Sequence, residues 1–484
     1  MAIVQPSQLR ADFARRLSDM YAEEVPAYRT LLSVSQEVNR DVLVECGADA
    51  ERLGAIERVS AERHGAIRLG TQREMAHAAR IFAAMGMYPV GFYDLRDAAE
   101  AAVPVVSTAF RPIDSAELDI NPFRVFTSML VPTDRRFFNA DLQNRLTNFL
   151  DARRLFDDEL LHLADRAVAQ HGLSVDDAER FLTRAAAVFK LTREPVDRSW
   201  YDELHAVSSV AADIGGVTGT HINHLTPRVL DIDALYHRMT ARGITMIDTI
   251  QGPPRWHGPN LLLRQTSFRA LAETRTFREA DGSVTEADLR VRFGEVEARG
   301  IAVTPAGRKL YDDLTAETGR LIRSRDPKAT MSLHGRNEIQ AEIWTKAVPL
   351  TEVELALDDL AYFTFRVDEV RRPRDQVPPN SLRELIDDHW VAIDPIVYED
   401  FLPKSAAGIF QSNLTSDTVK DASQHATLID AAWMEGVLDT QLHDPYHLYD
   451  RVRRRSLDAV ADALCIAGGV ELPQPTTRPE GPNT

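Results

Sequence analysis

Apolar residues over 1–58 recur three and four apart, in ADFARRLSDMYAEEV and YRTLLSVSQEVNRDVLVE, and predict N-terminal helices. Over 59–136 the period shortens. RHGAIRLG, YPVGFYDL, VPVVSTAFRPI and FRVFTSML read as strands, with one helical stretch, QREMAHAARIFAAMG, after the first of them. Helical spacing returns over 137–216, where Gly172 stands as a helix stop and Ser174, followed by acidic residues, as an N-cap. The stretch 217–315 then repeats the earlier order: strand THINHLTPRV, helix DIDALYHRMTARG, and strands in ITMIDTIQG, NLLLRQTSFRAL and LRVRFGEVEARG. A recurring strand, helix and three strands predict an internal duplication of a βαβββ unit.

The fold class that follows is α+β. Duplicated βαβββ modules form a barrel or sheet, surrounded by N-terminal helices (1–58), an inserted helical block (137–216) and a C-terminal strand and helical cover (316–471), with a disordered tail (472–484). Within the cover, RKLYDDLTAETGRLIRSR reads as helix and LDDLAYFTFRVDE as a strand added to the sheet. The stretch from Arg371 to Pro395, rich in Pro, Asp and Arg, reads as loop.

The chemistry-bearing residues fall at matching places in the repeat. His64 opens the first strand of the first module, His224 the first strand of the second, and Glu295 lies in the last strand of the second. Imidazole and carboxylate on rigid strands are what a divalent metal needs. His221 and His224 differ by an odd number, so on one regular strand only one faces inward; Glu295 and Glu297 share parity, and alternation leaves both open. Arg68 follows His64 by four residues on the same strand face, about 13 Å along it. A guanidinium fork there suits a carboxylate. The small-residue loop around Lys404 and Ser405 offers main-chain amides to a carboxylate, or a lid. Gln265 and Arg264 lie on a central strand without a readable register, and His162 and His171 read as solvated helical histidines.

Composition narrows the partners. A net charge of -17 argues against a general nucleic-acid or anionic-membrane binder, yet leaves a small arginine-lined pocket for an anion. Two cysteines, Cys46 and Cys465, give no disulfide framework, and no run of about 20 apolar residues occurs, so a cytoplasmic protein with reduced thiols is expected.

HGAIRLGT, GMYPVGFYDL, HINHLTPR, FGEVEARG and FLPKSAAGIFQSNL, in this order over most of the chain, resemble the 2-oxoadipate dioxygenase/decarboxylase family. The βαβββ repeat headed by histidine resembles the vicinal oxygen chelate superfamily, NHLTPRVLDIDALY is similar to its first-strand pattern, and FGEVEAR resembles the glutamate strand of hydroxyphenylpyruvate dioxygenase. The resemblance implies a vicinal-oxygen-chelate-type barrel and Fe(II) held by His64, His224 and Glu295, in preference to His221 and Glu297. It implies Arg68 on the distal carboxylate and main-chain contacts near Lys404 and Ser405. The reaction implied takes 2-oxoadipate and O2 to D-2-hydroxyglutarate and CO2 in lysine catabolism, with no nucleic-acid or membrane partner. The residues alone leave open another metalloenzyme of the same barrel (isomerase, lyase or extradiol dioxygenase) or a non-catalytic small-molecule binding protein, and oligomeric state is not readable.

Overall fold

The structure, a computed structural model, describes residues 2–97, 102–270, 273–289, 292–325, 333–373, 376–402, 420–421 and 423–473. It is a mixed α/β arrangement in which many helices surround several small sheets. The helices Pro6–Glu24 and Pro26–Cys46 each begin with proline, where the missing N–H costs nothing. Their buried Phe13, Leu17, Leu31 and Val34 share one apolar cluster with Ile67, Ile222 and Leu225 of the central sheet. Tyr21 adds a polar anchor: its hydroxyl donates to the Phe293 carbonyl at 2.9 Å and to the Asn223 carbonyl at 3.1 Å.

The central sheet has the strand order Tyr88–Asp94, Val105–Arg111, Arg124–Leu130, Arg63–Leu69, Ile222–Pro227. The pair Arg63–Leu69 and Arg124–Leu130 is parallel, and its neighbours are antiparallel. The helix and four strands expected over 59–136 form. The Thr71 side chain accepts from Glu74 N to start the helix Gln72–Ala83, and Gly86, at φ 67°, turns the chain back towards the next strand.

The second mixed stretch departs from the expected pattern. Ile222–Pro227, the helix Ile232–Ala241, Leu263–Phe268 and Gly294–Arg299 form. The strand expected in ITMIDTIQG is reduced to single bridges, Met246 to Phe268 and Gln251 to Gln265. More residues lie between the bridging positions on one side than on the other, so the surplus bulges out and no regular ladder survives. Within LRVRFGEVEARG, Gly294–Arg299 is strand, and an antiparallel hairpin, Glu273–Arg278 with Val284–Leu289, precedes it. Its signal was present in the sequence: two alternating runs about Asp281-Gly282, a turn dipeptide, with Gly282 at φ 83°. This hairpin pairs with Val196–Asp197 in a sheet of its own, and its Phe277 joins the apolar cluster that holds Ala66 and Phe126 of the central sheet.

Gly294–Arg299 pairs antiparallel with Leu263–Phe268 and bridges in parallel to Arg228, with Val229 N donating to the Glu297 carbonyl at 2.8 Å. The Glu295 strand is thereby laid beside the His224 strand.

Elsewhere, Asn139, Asp157, Ser174, Asp197 and Ser208 each cap a helix of the inserted block through the side chain. The helix Asp158–Gln170 ends at His171, in left-handed backbone, one residue before the expected Gly172. Both His162 and His171 are exposed. The helix Pro305–Arg325 runs through the boundary expected at 315. Phe363–Val367 is a strand, but it pairs with Val391–Pro395 in a separate two-stranded sheet and does not join the central one. The expected loop from Arg371 to Pro395 therefore ends in helix Leu382–Asp387 and this strand, because Leu382, Leu385, Trp390 and Val391 enter one buried apolar cluster. Of the expected tail, residues 474–484 lie outside the described residues.

Replacing Tyr21 with Phe strips a donor from two buried carbonyls while keeping the ring. The expected cost is about 1–3 kcal/mol in urea unfolding, with the fold retained.

Candidate metal centre

The strand Arg63–Leu69 has two differently used faces. Ile67 and Leu69 enter the main apolar cluster, while His64, Ala66 and Arg68 face the other way, level with Arg124, Phe126 and Ser128 of the parallel neighbour. On the antiparallel side His64 is opposite Thr226 and Ala66 opposite His224, after which the register shifts so that Ile67 meets Ile222. Asn223 is the extra residue. This bulge overturns the expectation that only one of His221 and His224 can face inward, because alternation is interrupted between them. His224 ends beside His64, and His221 joins the neighbourhood of Arg68 through Asp213.

The structure brings His64, His224 and Glu295 together, all buried, with one candidate ligand atom from each lying within 4.8 Å of the others. His64 Nε2 is 3.5 Å and His224 Nε2 3.6 Å from the two Glu295 oxygens, and the imidazole rings stand at 90° with centroids 5.4 Å apart. Donors at about 2.1 Å from one ion stand roughly 3 Å apart when cis, so an ion held by all three would draw these side chains inward. The donor chemistry fits as well. His64 Nδ1 stands 2.9 Å from Glu297 Oε2 and His224 Nδ1 3.0 Å from Thr226 Oγ1, which leaves both Nε2 atoms directed at the common point.

Burial pushes the His224 imidazole down to about 4 against the pull of Glu295, so its nitrogen lone pair is available at neutral pH. Burial also lowers His64, but Glu297 and Glu295 outweigh it and raise that imidazole above its ordinary value. Glu297, the alternative ligand, thus sits on the far side of the His64 ring from the point where the three donors meet. Burial alone would raise its pKa, yet Arg299, His64 and Arg124 hold it at about 2. Arg299 grips Glu297 at 2.7 and 2.9 Å. Behind them Glu62 receives Arg124 at 2.7 Å and Arg228 at 2.8 Å, and Glu399 bridges Arg58 and Arg124.

Aromatic rings close the sides. Phe401 meets the His64 ring at 5.0 Å and Phe126 at 5.1 Å, while Phe293 stacks on His224 at 5.7 Å. A cleft of ≈ 530 Å³ lined by Tyr93, Tyr398, Tyr446 and His443 reaches this Phe401.

Along the inner face from His64, Arg68 Nη1 pairs with Asp213. Asn223 Nδ2 donates to the same carboxylate at 3.0 Å, and His221 Nε2 lies 3.5 Å from its other oxygen. Burial drives His221 down to about 3 in spite of Asp213. Asp213 escaped the reading of the sequence; its signal was one acidic residue inside the apolar run SVAADIGGV, on the helix Ser209–Gly215. Glu62, Glu399 and Phe401 carried no local signal. Gln265 is buried opposite Glu297, whereas Arg264 points away into an ion pair with Asp233. Lys404 and Ser405 lie outside the described residues.

The chain matches the family model for 2-oxoadipate dioxygenase/decarboxylase over residues 13–413. A 2-oxoadipate dioxygenase/decarboxylase of Mycobacterium tuberculosis is 54% identical over 447 residues, 92% of this chain and 97% of the relative. One of Pseudomonas putida is 42% identical over 467 residues, 95% and 98% of the two chains. The crystal structure of hydroxyglutarate synthase from Pseudomonas putida in complex with 2-oxoadipate superposes with TM-score 0.82 at 39% identity, covering 96% of this chain and 100% of that one.

Glu297→Gln keeps the shape but weakens the acceptor beside His64 Nδ1. Divalent-metal affinity is expected to fall about 10–100-fold in a chelator competition assay. His221 gives a separate pH signature. Its folded value, about 3, lies below the ordinary 6.5, so the unfolded chain takes up the proton first as pH falls. Its contribution is complete above 6.5 and lost on acidification towards 3, at up to about 1.4 kcal/mol per pH unit. Urea unfolding of metal-free protein below pH 6.5 should show a shallower loss in His221→Gln than in the native chain.

Proposed function

The chain belongs to the 2-oxoadipate dioxygenase/decarboxylase family, and we propose that it converts 2-oxoadipate and O2 to D-2-hydroxyglutarate and CO2 at the cluster of His64, His224 and Glu295. The observation that carries this reading is the convergence of two buried imidazoles and a carboxylate from three separate strands, inside a chain that matches this family over most of its length. Two nitrogens and one carboxylate on one side of an ion suit Fe(II) and leave positions for a 2-oxo acid and O2. Bound there, iron would supply the chelation of the keto acid and the reduction of O2.

The rest is the work of the chain. His64, His224 and Glu295 hold the metal, with Glu297 and Thr226 fixing the imidazoles from behind. Arg68, on the same strand face as His64, takes the distal carboxylate, so the oxo-acid end of the substrate is presented to the metal centre in one orientation. Phe126, Phe293 and Phe401 exclude water around the reacting carbons. Main-chain contacts near Lys404 and Ser405 belong to the same proposal. Carbon 1 leaves as CO2, the keto carbon becomes the new carboxylate with one oxygen atom, and the adjacent carbon takes the other as hydroxyl. No second oxo acid is consumed.

The duplicated βαβββ reading also belongs here. It is supported by the strand order, since Leu263–Phe268, Gly294–Arg299 and Ile222–Pro227 adjoin as Val105–Arg111, Arg124–Leu130 and Arg63–Leu69 do. We read a vicinal-oxygen-chelate-type architecture with the helical blocks as additions. No described helix is long and apolar enough to cross a membrane, which suits the cytoplasmic location proposed for a lysine-breakdown enzyme.

With Fe(II) and 2-oxoadipate, O2 uptake and CO2 release are expected in equal amounts, with labelled O2 appearing in both the new carboxylate and the hydroxyl of the product. His224→Ala and Glu295→Ala should each lower turnover on the order of 100-fold or more. Arg68→Ala should raise KM for 2-oxoadipate about 10–100-fold through loss of a charge-assisted hydrogen bond. Retained keto-acid binding without oxygen consumption would overturn the reaction assigned here.

A further inference from the structure

Arg68 is not held by its own stem. Its guanidinium pairs through Nη1 with Asp213, and both groups are buried, at 5% and 4% side-chain exposure. Asp213 is in turn fixed twice over. Its helix, Ser209–Gly215, is locked into the core by Val210, Ala211, Ala212 and Ile214, and its carboxylate accepts from Asn223 Nδ2 at 3.0 Å with His221 Nε2 3.5 Å away. Asn223 is the bulge residue of the strand that also carries His224. One short strand segment therefore carries a donor of the metal centre and steadies the group that steadies Arg68.

This arrangement is a ruler. An arginine stem has several rotatable bonds and by itself would follow a carboxylate over a range of positions. With Nη1 committed to a buried, helix-mounted aspartate, the plane and reach of the guanidinium are set before any substrate arrives. The span from the guanidinium to the metal centre becomes a fixed length. A substrate chelated at one end and gripped at the other must match it, and each methylene too many or too few then loses contact at one end.

The geometry points to Asp213 as a specificity-determining positioning residue that, with Asn223 and His221 behind it, fixes Arg68 and so sets the chain length of the 2-oxo diacid accepted. It rests on the assignment of Arg68 to the distal carboxylate. Asp213 does not touch the reacting atoms, and it acts through Arg68 alone. Its ionised state agrees with this role. Burial would raise its pKa, but His221, Arg68 and Arg275 hold it below the ordinary carboxylate value.

The test compares kcat and KM of the Fe(II)-loaded full chain for 2-oxo diacids of five, six and seven carbons and for the six-carbon 2-oxo monoacid. The native chain should prefer the six-carbon diacid. Asp213→Asn should raise KM for it while sparing kcat, and should lower its preference over the five- and seven-carbon diacids by about 10-fold or more, the worth of one methylene. Asp213→Glu keeps the ion pair but displaces it, so it should change the preferred length with the thermal midpoint and metal content near native. It carries the test should Asp213→Asn fail to fold. Arg68→Ala should abolish the preference for diacid over monoacid. Unchanged length preference in the folded Asp213 variants, with Arg68→Ala still losing diacid preference, would overturn the ruler and leave the Arg68 assignment standing. Retained diacid preference in Arg68→Ala would remove that assignment itself.

Discussion

A carboxylate removed from water survives in ionised form only where cations surround it closely, and the interior of this protein is built on that requirement. Glu62 has no exposure, yet Arg228, Arg124, Arg299 and Arg58 together offset the burial that would raise its pKa and hold it well below the carboxylate range. Those arginines come from four separate places in the chain. Arg124 lies on the strand beside His64, Arg228 just after the His224 strand, Arg299 on the Glu295 strand, and Arg58 on the helix before His64. Each of them holds part of that charge, so the network ties together, at one end, the strands that carry His64, His224 and Glu295.

Glu297 shows how that network reaches the chemistry. It is anchored by Arg299 on one side and faces His64 Nδ1 on the other. The orientation of the imidazole is therefore an outcome of buried ion pairing two layers back. The far end of the inner face uses the same device on a smaller scale, with Asp213 restraining Arg68. Between the two charged ends lie Ala66, Phe126 and Phe401, small or aromatic groups of one buried apolar cluster. Charge at both ends and apolar walls between suit a substrate with a carboxylate at each terminus.

The bulge at Asn223 links the ends. Without it, strict alternation would turn either His221 or His224 towards the apolar cluster that holds Ile222 and Leu225. With it, both imidazoles lie on the inner face, one near Glu295 and one near Asp213. Tyr21, from the first helix, donates to the Asn223 carbonyl and to that of Phe293, and so supports the irregular backbone just where the ladder is broken.

The sequence by itself determined the strands and helix over 59–136, the helical character of the inserted block with its cap at Ser174, and the strands that bear His64, His224 and Glu295, because periodicity and capping act over a few neighbouring residues. Tertiary structure decided the rest. It broke the ladder in ITMIDTIQG and gave Phe363–Val367 a partner of its own. It set Glu297 behind His64, where parity had left Glu295 and Glu297 equivalent, and it brought Asp213 to Arg68 across 145 residues. Pairing register, bulges and buried charge matching join segments far apart in the chain, and no local pattern of polar and apolar residues encodes which distant partner will neutralise a given charge.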